Sequence, residues 1–265
     1  MIHENLTNAE YHNDTTAISK SGLDLIERAP ILYRRKYFSK LPIKNKTVDP
    51  GYFIAGTAFH SFILEPEKLE DEFVVKPIFM GEGSRKREID FNLSNSNKNI
   101  IDLPTFKMVS GMRDSVLANP TIKRAGLLAN GRAELSFFWN DPATGVRCKC
   151  RPDYLNDYIV DLKSTDNASE IAVNRTIKKY NYHKQGAFYL DGVRAAGLKP
   201  KGFVFIFVEK TPPYLVNVFL LSSDDADAGR EKYNENLKTF SQCNETGVWP
   251  GYSAEIKLTN AIFRK

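Results

Sequence analysis

Residues 146–165 read VRCKCRPDYLNDYIVDLKST and carry the strongest indication of architecture in the chain. Two segments rich in apolar and β-branched residues, 146–155 and 158–164, flank Asn156 and Asp157, a pair typical of tight turns. A similar segment, AELSFFW at 133–139, comes before the turn-forming sequence DPATG. The pattern predicts three consecutive antiparallel strands.

The charged residues of the last strand share one face. Because side chains two apart on a strand point the same way, Asp161 and Lys163 project together while Val160 and Leu162 enter the core. A turn at 156–157 places Asp153 on the neighbouring strand close to Asp161, with the register open by one residue. Two carboxylates and an ammonium are therefore expected to converge.

Carboxylate oxygens are the hard ligands that Mg²⁺ prefers, and the ion keeps coordination positions for water and phosphate. The alternative is a solvated ion pair on a sheet surface, which explains an isolated Asp-x-Lys in most proteins. The apolar entry to the strand and the Pro152-Asp153 pair at hairpin distance favour a metal site.

The first half of the chain is patterned mainly for helices. Residues 17–38 predict a helix broken near Pro30, and a second helix is expected to start at Gly56. Residues 80–100 are rich in Gly, Ser, Asn and charge, which predicts a mobile surface loop. Helical spacing returns over residues 104–118.

The second half alternates between helices and strands. Residues 168–196 and 223–243 are expected to be helical, and 201–209 and 214–221 predict two strands separated by Pro212-Pro213. The order of elements indicates an α/β or α+β fold in which helices flank a central mixed sheet.

Length and composition favour one elaborated unit. At 265 residues the chain is near the upper limit for one hydrophobic core, so we expect a single domain over 1–265. It would comprise a helical part at about 1–130 and a catalytic core at about 131–250. The 42% hydrophobic and 26% charged residues exclude a chain disordered throughout.

The formal charge of +5 suits a polyanionic partner without requiring one. The sequence has no signal-peptide pattern and no membrane-spanning apolar stretch, so we expect a cytoplasmic protein. Cys148, Cys150 and Cys243 lack a partner pair at zinc-finger spacing, and we interpret them as structural free thiols.

The Pro-Asp and Asp-Leu-Lys elements at 152–163 resemble the PD-(D/E)XK nuclease motif. An ordered set of segments further resembles the RecE-type exonucleases, and it reaches from about residue 18 to residue 252. The segments are ISKSGLDLIERAP, GTAFHSFILEPE, CKCRPDYLNDYIVDLKST, YHKQGAFYLDG and VWPGY.

The resemblance implies a restriction-endonuclease-like core with a metal-dependent site. By that likeness Asp153, Asp161 and the Leu162 carbonyl bind Mg²⁺, for which Mn²⁺ substitutes, and Lys163 orients or activates the attacking water. Some related nucleases hold an iron–sulfur cluster through four cysteines; this chain has three, so no cluster is expected.

Four further residues enter through the resemblance, each with a plainer alternative. His60 matches a histidine that contributes to the metal site, but a histidine among Phe side chains is more often a hydrogen-bonded core residue. Glu134 is a candidate second-metal ligand or an exposed strand residue. Gln185 and Tyr189, four apart on one helix face, would contact DNA or order the site, or form a polar helix edge.

The implied activity is 5′ to 3′ digestion of double-stranded DNA ends, which generates 3′ single-stranded tails for recombination by strand annealing. The likeness also implies a ring-shaped homo-oligomer (tetramer or trimer), a single-strand-annealing partner, and a bacterial, phage or prophage origin. The lack of an apolar span predicts no membrane association. Two alternatives are a structure-specific endonuclease and a catalytically silent DNA-binding or assembly module. Candidate DNA contacts are the basic residues Arg34, Arg35, Lys36, Arg85, Lys86 and Arg87.

Overall fold

A computed structural model of the protein describes residues 1–4, 6–39 and 50–256. Its α-helices are α1 (Asn8–Asn13), α2 (Lys20–Arg28), α3 (Pro30–Tyr37), α4 (Pro50–Leu64), α5 (Leu69–Glu72), α6 (Ser84–Ser94), α7 (Leu103–Ala118), α8 (Pro120–Arg124), α9 (Glu170–Lys179), α10 (Tyr182–Ala195) and α11 (Ser223–Thr246). Its strands are β1 (Ile2–His3), β2 (Phe73–Val75), β3 (Asn99–Ile101), β4 (Arg132–Ala133), β5 (Ser136–Asn140), β6 (Arg147–Cys150), β7 (Tyr154–Leu155), β8 (Ile159–Thr165), β9 (Phe203–Glu209) and β10 (Val216–Leu220).

The central element is a five-stranded sheet in the order β10-β9-β8-β7-β4. β8 and β9 run parallel, and the other neighbours are antiparallel. The predicted mixed sheet flanked by helices is therefore confirmed.

Helices cover both faces of this sheet, so its middle strands are apolar on both sides. Ile159 of β8 and the phenylalanines of β9 join one core, which also contains residues of α2, α10 and α11. Val160 and Leu162 join a second core with residues of α4 and α7. Asp161 follows the alternation of Ile159 and therefore lies on the α10 side.

The three predicted strand segments do pair antiparallel in sequence order, but two of them are interrupted and are not continuous strands. Segment 133–139 breaks at Glu134, whose φ of 54° lies in the left-handed region. Segment 146–155 breaks at Arg151, Pro152 and Asp153, where proline cannot donate a ladder hydrogen bond. The pieces separate into two sheets: β5 lies between β1 and β6 and pairs with both, whereas β4, β7 and β8 belong to the central sheet.

Three helix predictions also need correction. The expected loop at 80–100 contains α6, which buries none of its residues and so lacks the apolar stripe that would have indicated a helix. The helix expected over 168–196 is two helices that separate near Asn181, whose φ is 53°. α4 begins at Pro50, earlier than the expected start at Gly56.

Other predicted boundaries are confirmed. The first helical segment breaks at Pro30, and α7 occupies the region predicted from helical spacing. Ser222 caps α11 by accepting a hydrogen bond from the Asp225 backbone N–H at 3.1 Å.

Residues 1–130 contribute to both cores and also to strand pairing. β1 pairs with β5, while α2 and α3 supply buried residues such as Leu23 and Tyr33 to the core on the α10 side. Cys148, Cys150 and Cys243 are buried free thiols. Within the described ranges no helix is both long and apolar enough to cross a membrane.

Candidate active site

The strand β8 carries the paired charges Asp161 and Lys163. Asp161 is 1% exposed, and its Oδ1 accepts a hydrogen bond of 2.5 Å from Nε2 of Gln185 on α10. Lys163 Nζ forms an ion pair with Asp161 Oδ2 and lies 4.8 Å from the centroid of the Tyr182 ring. The alternative that Asp161 and Lys163 form a solvated ion pair on the sheet surface does not fit this buried arrangement.

A backbone hydrogen bond positions Asp153 beside this pair. The register of Tyr154 with Val160 places Asp153 at the strand break next to β8, where its Oδ2 accepts a 2.7 Å hydrogen bond from the Leu162 N–H. The structure thus gives Leu162 a positioning contact, and the role predicted for its carbonyl stays a prediction.

His60, on α4, faces this cluster and is no core residue. Its side chain is 32% exposed, and its Nδ1 lies 3.5 Å from Asp153 Oδ2. Phe59, Phe62 and Ile63 fill the adjacent core instead.

The backbone break at Glu134 brings a third potential ligand, a second carboxylate, into reach. The Glu134 N–H donates to the Asp153 carbonyl at 3.1 Å. One ligand atom each from His60, Glu134 and Asp153 lies within 4.8 Å of the others. Two ligands of one Mg²⁺ lie at most about 4.2 Å apart. The three side chains would therefore need to move only slightly closer together, or to use a water in place of one contact, to hold one ion.

The donors present fit a hard divalent cation. Carboxylates and an imidazole line one cavity, and the buried Asp161 Oδ2 contacts the Lys163 ammonium beside it. Asp161 does not belong to the group of three, since its carboxylate turns to Lys163 and Gln185. Its predicted place as a ligand beside Asp153 therefore stays a prediction.

The cluster perturbs the pKa values of its members. Burial, assisted by the Asp153 carboxylate, raises the pKa of Glu134 to about 8. Burial also raises the pKa of Asp161, against the opposing effect of Lys163. For Lys163 burial alone would lower the pKa, but Asp161 and Asp153 outweigh it and the net shift is upward. Lys163 is therefore a cation at neutral pH.

Gln185 and Tyr189 take different places on α10. Gln185 is buried and contacts Asp161 directly, as described above. Tyr189 lines the cavity that holds Asp153 and packs edge-on against Phe203, with ring centroids 6.1 Å apart. Burial raises the pKa of its hydroxyl, which is therefore neutral.

Two cavities meet at the site. The carboxylate compartment, of about 670 Å³, is lined by His60, Glu65, Glu134 and Asp153, among others. The lysine compartment, of about 280 Å³, is lined by residues that include Phe59, His60, Met108, Met112, Lys163, Tyr182 and Lys210.

Arg151 lines the carboxylate compartment, although the sequence analysis did not select it. It is 8% exposed, donates through Nε to Ser136 Oγ at 2.8 Å, and places its guanidinium 4.4 Å from the centroid of the Tyr11 ring. Its Nη1 is 3.9 Å from Glu134 Oε2. Its position directly before Pro-Asp was the only available signal.

The basic residues proposed as DNA contacts lie elsewhere. All six are exposed, on α3 and α6, and none lines either compartment. Their predicted role stays a prediction.

Residues 35–261 match the family model described as a PDDEXK-like domain of unknown function (DUF3799). The solved structure of a candidate exonuclease from Eubacterium rectale matches with a TM-score of 0.65 and 14% identity, covering 99% of this chain and 96% of that one. At this identity the likeness shows the fold alone. The structure of SSO0001 covers 71% of this chain and 84% of that one, at 11% identity and a TM-score of 0.30, too low to support a shared architecture. No curated protein matches significantly.

Proposed function

Since the chain belongs to the family of PDDEXK-like domains designated DUF3799, we propose that it is a divalent-metal-dependent deoxyribonuclease. The observation that supports this proposal best is the convergence of His60, Glu134 and Asp153 in one cavity beside the buried Asp161–Lys163 pair. A fold alone does not define an activity, but this set of groups suits phosphodiester hydrolysis.

The residues divide the work of hydrolysis. Asp153, Asp161, Glu134 and His60 would hold magnesium, which when bound supplies charge relief at the phosphate and a more acidic water. Lys163, a cation at neutral pH, donates a hydrogen bond to the attacking water or to a phosphate oxygen and does not act as a base. Gln185 holds the Asp161 carboxylate in place.

The finer proposal is a 5′ to 3′ exonuclease acting on double-stranded DNA ends, with Mg²⁺ as the working ion. Its support is the ordered likeness to RecE-type exonucleases in the segments around Gly56, Asp153, Lys163 and Gln185. From the same likeness we propose a homo-oligomeric ring and a single-strand-annealing partner.

Linear and covalently closed duplexes, each incubated with and without magnesium, test this function. We expect release of mononucleotides from the linear duplex with magnesium, and no cleavage of the closed duplex. Cleavage of closed circles would favour a structure-specific endonuclease instead. Absence of cleavage of both substrates would favour a silent DNA-binding module.

The location of a radiolabel tests the polarity. A duplex labelled at its 5′ ends should lose label at once, and one labelled at its 3′ ends should keep it through early digestion. The reverse order would contradict 5′ to 3′ digestion while leaving the nuclease proposal intact.

A further inference from the structure

Gly56 differs from the other helical glycines whose surroundings the structure describes. A Cβ at any of the others would come within 3.0 Å of another atom, so close packing explains each of them: Gly22, Gly111, Gly186, Gly192 and Gly229. A Cβ at Gly56 would meet no described atom within 4 Å. Glycine within a helix is disfavoured relative to alanine, and packing against the described residues gives no reason for Gly56.

Gly56 lies where the two compartments adjoin. It lines both cavities, and so does His60, one helical turn further along α4. The open space beside the Gly56 backbone therefore lies between the carboxylates on one side and the lysines on the other.

The lysine compartment combines cations with an apolar surface. Lys163 and Lys210 line it together with Phe59, Met108 and Met112. Lys210 pairs with Asp166 at 3.0 Å, and Asp166 is 90% exposed, so the pair can rearrange towards a bound anion. A phosphate joined to a flat, weakly polar ring system matches this lining, and one nucleotide of a DNA strand has that chemistry.

We propose that one DNA strand crosses α4 against the bare backbone of Gly56, and that the lysine compartment binds the nucleotide on the far side of the scissile phosphate from the carboxylates. Because Gly56 has no side chain, it leaves room for the strand to pass over α4. The proposal rests on the proposed nuclease function, because it takes the scissile phosphate to lie beside Asp153 and Asp161.

Substitutions at Gly56 separate the effect of a side chain on DNA binding from its effect on stability. Gly56→Ala should raise Tm by about 2–4 °C, because alanine favours the helix and the added carbon meets no atom of the described residues. The same variant should bind a short labelled single-stranded oligonucleotide more weakly, and Gly56→Leu should lose about tenfold in affinity. Fluorescence anisotropy with EDTA present measures binding without hydrolysis. Ala228→Leu, at an exposed position of α11 that lines neither compartment, is the control and should bind normally.

A matched pair of lysines tests the compartment itself. Lys210→Ala should weaken binding of the oligonucleotide about tenfold, whereas Lys201→Ala should not, although Lys201 also pairs with an exposed aspartate, Asp157, at 2.6 Å. Equal effects of the two lysine variants would overturn the proposal.

Failure of this inference is distinguishable from failure of the nuclease function. Wild-type affinity in both Gly56 variants, or no binding by the wild type without metal, would overturn the crossing at Gly56 even if magnesium-dependent hydrolysis is found. Weakened binding in these variants would support the crossing even if no hydrolysis is seen, because the anisotropy measurement needs no cleavage.

Discussion

At the scale of single residues, Asp161 is the most constrained group of the site. Its carboxylate is buried between the sheet and α10. Gln185 donates a hydrogen bond to one of its oxygens, and Lys163 forms an ion pair with the other. An ionised carboxylate in such a place needs compensating charge, which Lys163 supplies in the structure and a divalent ion would reinforce.

Lys163→Met should therefore reduce both stability and turnover. Loss of the ammonium leaves Asp161 buried and unpaired, and we expect a loss of about 3 kcal/mol in the free energy of unfolding. The double variant Asp161→Asn, Lys163→Met should regain most of that stability but no activity. Urea denaturation measures the free energy of unfolding of the single and the double variant. Equal values for these two variants would show that Asp161 and Lys163 are not energetically coupled.

His60→Gln should abolish most activity and leave the fold intact. His60 is one-third exposed and lies against Asp153, so its removal should change the free energy of unfolding by less than about 1 kcal/mol. Melting and specific activity measured on one preparation decide between a ligand and a structural residue. A marked fall in Tm with normal activity per folded molecule would refute the ligand role.

At the scale of elements, the site is created by interruptions of strands. Pro152 ends the β6 segment and lets Asp153 turn towards β8, while the left-handed backbone of Glu134 directs that residue to the same cavity. Strand propensity and alternation predict continuous strands through both positions, and only the proline signals a break. Local pattern therefore could not predict the approach of Glu134 to Asp153, and only the resemblance to a known family indicated Glu134 as a metal ligand.

Substitutions at Glu134 can separate the backbone conformation from the carboxylate. Glu134→Gly should be more stable than Glu134→Ala by about 1 kcal/mol, because glycine adopts positive φ without the steric penalty of a Cβ. Both variants should bind Mn²⁺ more weakly than the wild type. Thermal denaturation and calorimetry measure the two properties, and unchanged metal affinity would remove Glu134 from the metal site.

Helices with strong local signals were predictable, and those without were not. Pro30 marks a boundary that the structure confirms, and α11 begins at Ser223 as the sequence predicts. α6 buries none of its residues, and its apolar Ile89 and Leu93 are exposed, so its sequence resembles that of a loop.

At the scale of the whole molecule, the central sheet separates two cores, and the site lies at its middle strand β8, with α4 and α10 on opposite sides. Local pattern predicted the helices and strands that build these layers, and the resemblance to a known family supplied His60, which no periodicity would have selected. The division of the strands into two sheets depends on long-range pairing, such as that of β1 with β5, which has no local signal.

The pH dependence of stability should reveal the metal site. The folded-state pKa of Glu134 is about 8, above its ordinary value of 4.5, so the metal-free protein gains stability from protonated Glu134 at low pH. That contribution is lost as the pH rises towards 8. Metal binding requires the ionised form, so the rise in Tm caused by Mn²⁺ should be larger at about pH 8 than at about pH 6. In Glu134→Gln this difference should shrink, and an unchanged difference would contradict the assignment.

We propose that Asp153, Asp161 and Lys163 together carry out the hydrolysis of DNA. The most direct test compares digestion of an end-labelled linear duplex in magnesium by the wild type, by Asp161→Asn and by Asp157→Asn. Asp157 is a control because its carboxylate is 71% exposed and pairs with Lys201 away from the site. We predict that Asp161→Asn folds but digests at least about a hundredfold more slowly, while Asp157→Asn matches the wild type. Near-normal digestion by folded Asp161→Asn would show that hydrolysis does not depend on the Asp161 carboxylate.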